Sequence, residues 1–150
     1  FCVNTFTNWG NNIVTFTVYT APNSTLTCSS QITKNIWVHP TPTALFNHTN
    51  KCVNDQPNLM DGSNSNVQSG SIINYAWDYG NGNTNLINTG PLTSYSYAAA
   101  GNYIVTLTVT SAAGCYDTAR KVVEVWEKPY ATFNYSKVCA GKKTILKATY

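Results

Sequence analysis

Residues 75–84, YAWDYGNGNT, gather the side chains of this sequence that could most readily do chemistry: a carboxylate at Asp78, amides at Asn81 and Asn83, phenols at Tyr75 and Tyr79, and an indole at Trp77. Such a cluster suits a calcium loop, a sugar-binding aromatic surface, or a tight corner of a β domain. A calcium loop needs several oxygen ligands of high charge, and no acidic cluster surrounds Asp78. A glycan-binding surface could draw on Tyr79, Tyr95 or Tyr116. Catalysis is less well provided for. The two histidines, His39 and His48, have no carboxylate or cysteine at a catalytic spacing. The acids Asp55, Asp61, Asp78, Asp117, Glu124 and Glu127 show no pairing suited to glycoside hydrolysis, and there is no phosphate loop. The sequence therefore predicts a protein that is not an enzyme and needs no metal and no cofactor.

The elements that must position these residues are strands. Only 10% of residues are charged while 43% are hydrophobic, which excludes a disordered chain. Tyr103, Val105, Leu107 and Val109 alternate with Ile104, Thr106 and Thr108, the period of a strand with one buried face. The turn SAAG and the run DTARKVVEVW complete a hairpin. SIINYAWDYG reads as a strand ending at Gly80 and PLTSYSY as another after the Gly90–Pro91 turn, with TALFNHT and a short run near PNLMDGS adding two more. Many short strands with frequent turns predict an all-β sandwich. The net charge of +3 owes much to Lys137, Lys142, Lys143 and Lys147, a solvated edge rather than a nucleic-acid surface. No apolar run is long enough to span a membrane, so no membrane insertion is expected in this segment. No signal peptide is visible, so a signal was removed or the chain is an excerpt of something longer.

The sequence also repeats itself. Residues 28–52 and 115–139 share a strand-like run, a proline, a phenylalanine and flanking cysteines: Cys28 and Cys115, Pro42 and Pro129, Phe46 and Phe133, and Cys52 and Cys139 are each 87 residues apart (115 − 28). Upstream, NNIVTFTVYT at 11–20 matches NYIVTLTVTS at 102–111 with an offset of 91 (102 − 11). The four extra residues fall around APNSTLT, a predicted surface loop. The chain then divides into the back of one unit (1–40), a complete unit (41–127) and the front of a third (128–150). The proline-bearing junctions HPTPTALF and EKPYATF are too short to be floppy linkers.

Residues 69–125, from SGSIINYAWDYGNG through AAAGNYIVTLTVTSAAGCYDTARKVVEV, resemble the PKD (polycystic kidney disease) domain. The family pattern is Trp-Asp-Phe-Gly-Asp-Gly, then His-x-Tyr, then Gly-x-Tyr-x-Val-x-Leu-x-Val. Trp77, Asp78, Gly80, Gly82, Tyr97, Gly101, Tyr103, Val105, Leu107 and Val109 match it. Tyr79, Asn81 and Tyr95 stand where Phe, Asp and His are usual, and Asn12 stands at the counterpart of Tyr103. The resemblance implies an immunoglobulin-like, antiparallel Greek-key sandwich. Trp77 and Tyr103 would be buried, Gly80 and Gly82 would form the turn, and Asp78 would accept backbone hydrogen bonds there. It also implies an extracellular or cell-surface setting, with a cysteine-bearing pattern like that of large surface proteins of Bacteroidetes-type bacteria.

In that oxidising setting the five cysteines, none in a C-x-x-C, read as disulfide formers. Cys52 with Cys115 is the simplest pairing, a closed loop contributing about 4 kcal/mol. An immunoglobulin-like topology could instead set the two at opposite poles, where a bridge between neighbouring units fits better. Cys28 and Cys139 would have partners outside this window, and Cys2 has no counterpart in the repeat. Candidate glycosylation sites are the sequons at Asn23, Asn47 and Asn134 and the Asp-Thr-Ala run at Thr118. Two function classes follow. One is a structural or adhesive array, a stalk or fibre whose partners are neighbouring repeats; the other is an accessory module of a secreted hydrolase that binds surface glycans or proteins.

Overall fold

The structure, a computed structural model, describes residues 4–19, 28–55, 57–62, 64–85 and 90–149. All regular structure among them is strand: β1 (Gly10–Tyr19), β2 (Ser29–Val38), β3 (Asn47–His48), β4 (Lys51–Cys52), β5 (Asn58–Asp61), β6 (Ile72–Asp78), β7 (Thr84–Asn85), β8 (Leu92–Tyr95), β9 (Gly101–Ser111), β10 (Tyr116–Trp126), β11 (Thr132–Tyr135) and β12 (Leu146–Thr149). The predicted loop APNSTLT lies outside the described residues, as do Cys2 and Asn23.

A five-stranded sheet in the order β4-β10-β9-β6-β7 faces a three-stranded sheet in the order β3-β5-β8. The fold is the expected β-sandwich. Its sequence-distant neighbours, β5 with β8 and β6 with β9, give it the crossovers of a Greek key. The core follows from strand alternation: Val105, Leu107 and Val109 point inward from β9 and Val123 and Val125 from β10, while Ile104 and Val122 face outward. Trp77 from β6, Met60 from β5 and Phe46 from the entry segment fill the space between the sheets, with the Phe46 and Trp77 rings meeting edge to face at 5.2 Å.

Among the described residues the strand pairing is antiparallel with one exception. The first strand of the sandwich changes sheets between β3 and β4, and β4 pairs in parallel with the end of β10, Lys51 opposite Val125 and Cys52 opposite Trp126. Asn50 and Val53 extend this attachment: the Asn50 side chain accepts the Glu124 N–H at 3.2 Å and the Val53 N–H donates to the Trp126 carbonyl at 2.9 Å.

The segments before and after the sandwich in sequence each form a two-stranded hairpin, β1 with β2 and β11 with β12. The β1–β2 register runs from Gly10 opposite Val38 to Tyr19 opposite Ser29. Offsets of 91 and 87 carry it pair by pair onto the β9–β10 register, Gly101 opposite Val125 and Thr110 opposite Tyr116. Likewise Asn134 opposite Lys147 matches Asn47 opposite Asp61, with offsets of 87 and 86. Burial does not follow the register. Phe16 and Leu146 are 56% and 62% exposed, whereas their counterparts Leu107 and Met60 are fully buried.

Candidate functional site

The corner where β6 leaves the sheet collects most of the motif residues. Trp77 lies opposite Leu107 and is fully buried; its indole N–H has no hydrogen-bond partner among the described residues. The next side chain, Asp78, points to the other face by strand alternation. Its Oδ1 accepts the Gly80 N–H at 2.9 Å, closing the turn as short acidic side chains do. Gly80 has φ +75°, and a Cβ there would sit 2.5 Å from the Ile104 carbonyl oxygen, so the turn is pressed against β9 at a point only glycine permits. Gly82 has φ +86° but faces open space.

Four phenol rings brace this corner. Tyr79 stacks on Tyr95 with centroids 4.2 Å apart, Tyr95 meets Tyr97 edge to face at 4.9 Å, and Tyr97 stacks on Tyr103 at 3.9 Å. Their hydroxyls tie three segments together. Tyr97 donates to the Tyr79 carbonyl at 2.9 Å, Tyr103 donates to the Ala99 carbonyl at 2.8 Å, and the Tyr79 and Thr93 hydroxyls lie 2.8 Å apart. Asn81 and Asn83 both donate side-chain N–H groups to the Tyr95 hydroxyl, at 3.0 and 2.6 Å. Burial, and then the neighbouring Tyr95, Tyr103 and Tyr79 phenols and Asp78, push the Tyr97 hydroxyl well above the ordinary phenol range, so it stays a donor at physiological pH.

A family model for the PKD domain matches residues 39–125. The chain belongs to the PKD domain family. It is 39% identical over 80 residues to the pre-pro-metalloprotease PrtV of Vibrio cholerae, a match that covers 51% of this chain and 8% of the protease, so the chain spans less than a tenth of that curated relative. The PKD1 domain of Vibrio anguillarum Epp is similar in structure, with a TM-score of 0.52, 29% identity, and coverage of 60% of this chain and 99% of that one. A structure of carbohydrate-binding modules from the β-sandwich superfamily, with a TM-score of 0.57 and 23% identity over 73% of this chain and 54% of its own, shares the fold. The PKD unit is an immunoglobulin-like sandwich and a non-catalytic module.

Within the PKD unit the predicted residues have different fates. Trp77, Asp78, Gly80 and Gly82 form the corner just described, while Tyr103 is half-buried at its rim. Of the three tyrosines proposed as a glycan surface, Tyr79 is buried and Tyr95 is occupied by its ring and amide neighbours, so only Tyr116 stands free as an exposed ring. For Tyr79 and Tyr95 that expectation is corrected because the β6–β7 turn folds back over β8.

The in-unit Cys52–Cys115 disulfide is also corrected. Cys115 precedes the first residue of β10 and Cys52 pairs with its last. An eleven-residue strand separates them by about 33 Å, far beyond the ~7 Å limit on Cα separation for a disulfide. Both cysteines are half-buried, and neither is joined to another cysteine within this chain.

Thr118 is exposed on the outer face of β10, and Asn47 and Asn134 are exposed on β3 and β11. Asp117 beside Thr118 has a structural task, since its Oδ2 accepts the Ala44 N–H at 2.9 Å. Among the described residues no group of three or more His, Cys, Asp or Glu side chains could hold a metal, and no helix is long and apolar enough to cross a membrane.

The sequence reading missed a concave surface. Asn47, Leu59, Asp61, Leu92 and Ser94 line a groove of about 560 Å³ on the outer face of the three-stranded sheet. The signal was present in β5, where Leu59, an apolar residue, occupies an outward position beside inward Met60. A smaller groove on the β11–β12 hairpin is lined by the counterparts Asn134, Ile145 and Lys147.

Proposed function

We propose that residues 41–127 are one complete unit of a tandem, non-catalytic extracellular array, a stalk or fibre segment, with residues 1–40 the end of the preceding unit and 128–150 the start of the next. The observation that carries this reading is the matched pair of faces. Phe16, Val18 and Ile36 are exposed at the counterparts of buried Leu107, Val109 and Val123, and Phe133 and Leu146 at those of Phe46 and Met60. A two-stranded hairpin is marginal alone, and these faces carry the apolar pattern of a sandwich half. Joining the two flanking hairpins would still leave no counterpart of the Trp77 strand, which favours continuation within one polypeptide over exchange of strands between short chains. Low charge and proline-bearing junctions suit a spacer, whose work is reach rather than a cleft.

Reducing, denaturing electrophoresis of the native protein tests this reading. A polypeptide many times larger than 16.4 kDa with PKD units along its length is expected. A single species near that mass would overturn it.

The similarity to PrtV favours a second reading, an accessory glycan- or protein-binding module of a secreted hydrolase, with the β3-β5-β8 groove as its contact surface. Proteolytic or glycosidic activity of the native polypeptide would select that reading over the array.

A further inference from the structure

The two cysteines of the complete unit stand at opposite poles, and each pole borders a neighbouring segment. At one pole Trp37 and His39, at the end of the β1–β2 hairpin, line a single cavity together with Ala112 and Ala113 from the turn between β9 and β10. Cys115 is two residues beyond Ala113. At the other pole Cys52 pairs with Trp126, just before the chain leaves the unit through Glu127 and Lys128.

The 87-residue offset makes His39 the counterpart of Trp126 (126 − 87 = 39). Trp126 is the residue beside which Cys52 lies, one strand spacing of about 4.8 Å away. A preceding unit built on the same pattern therefore holds its own Cys52 counterpart beside His39, and His39 faces the turn that carries Cys115.

We propose that a disulfide crosses each junction, joining the Cys52 position of one unit to the Cys115 position of the unit after it. The inference rests on the tandem reading above. It explains why a unit carries one cysteine at each pole, why the spacing recurs at Cys28 and Cys139, and why Cys52 and Cys115 do not meet each other. Both cysteines are half-buried at the poles, so neither is sealed inside the core. Each bond forms by thiol–disulfide exchange. A disulfide of an exported oxidant protein accepts the two electrons: one cysteine thiolate opens it to a mixed disulfide, the second thiolate displaces the oxidant, and the two thiol protons end on the oxidant, which departs as a dithiol.

The native protein, purified without reductant, alkylated and digested, provides the test. Trypsin has no site between Lys51 and Arg120 and would leave Cys52 and Cys115 on one peptide; cleavage at Met60, the only methionine in this sequence, separates them. The expected product is the 52–60 peptide linked to a peptide bearing the Cys115 counterpart of the following unit, released by reduction. Replacing Cys52 by Ser (Cys52→Ser) should then make that one distant thiol newly alkylatable. Alkylation of both Cys52 and Cys115 without prior reduction, a bond between the two, or a bond to a second polypeptide would each overturn the staple. If peptide coverage shows no following unit at all, the tandem reading itself fails, a result distinct from free thiols in an intact array.

Discussion

The β9–β10 hairpin and the β1–β2 hairpin share one register, pair for pair, yet the first is the wall of a core and the second leaves Phe16 and Ile36 in solvent. Strand pairing is thus written locally, in alternation and turn chemistry, while burial is conferred by the opposite sheet. Among the described residues only the complete unit brings both sheets together, and only it has the β6 and β8 strands with Trp77 and the tyrosine brace.

The largest test of this contrast is Trp77→Ala, which removes the side chain that fills the space between the sheets and should destabilise the unit by about 3–5 kcal/mol. Thermal unfolding would show it; an unchanged melting temperature would mean that Trp77 is not in the core. Phe16→Ala, made within residues 1–150, should shift the melting of the unit by no more than about 0.5 kcal/mol equivalent. In the native protein a core-sized loss is expected from the same change, because the missing sheet is then present.

A smaller effect separates the two corner glycines. Gly80→Ala meets both a left-handed backbone and the Ile104 carbonyl, and should cost about 2 kcal/mol or more. Gly82→Ala meets only the backbone term, about 1 kcal/mol. Equal losses in denaturant titrations would show that the close approach to β9 contributes nothing.

The smallest effect concerns the brace, which the flanking hairpin lacks because Asn12 stands where Tyr103 would be. The Tyr97 hydroxyl has its folded-state pKa raised above the unfolded value. Its contribution is therefore fully present below about pH 10 and is lost as pH rises beyond it, by up to about 1.4 kcal/mol per pH unit. Tyr97→Phe should cost about 1 kcal/mol near neutrality and flatten that alkaline decline. A decline of the same steepness in the variant would assign it to other groups.

The parts legible in the sequence were those with a period or a motif. β9 and β10, eleven residues each, alternate long enough to declare their inward faces, and the Trp77–Gly82 turn declares itself by residue type. β4 and β7 escaped, because two residues carry no period. The stacking of Tyr79 on Tyr95 escaped as well, since it depends on β8 lying beneath a turn fourteen residues earlier. The paired cysteines misled for a related reason: counting two per unit says nothing of the pole at which each sits.

The parallel attachment of β4 to the end of β10 bears on how the unit answers a mechanical load. The chain enters at one pole and leaves at the other, so tension on its two ends drags β4 and β10 along their common axis in opposite senses. The Lys51–Val125 and Cys52–Trp126 pairs, the Val53 N–H bond and the Asn50 bond are then strained together. An antiparallel terminal pair would peel open one bond at a time. Loaded in shear, these bonds share the force instead of meeting it one at a time.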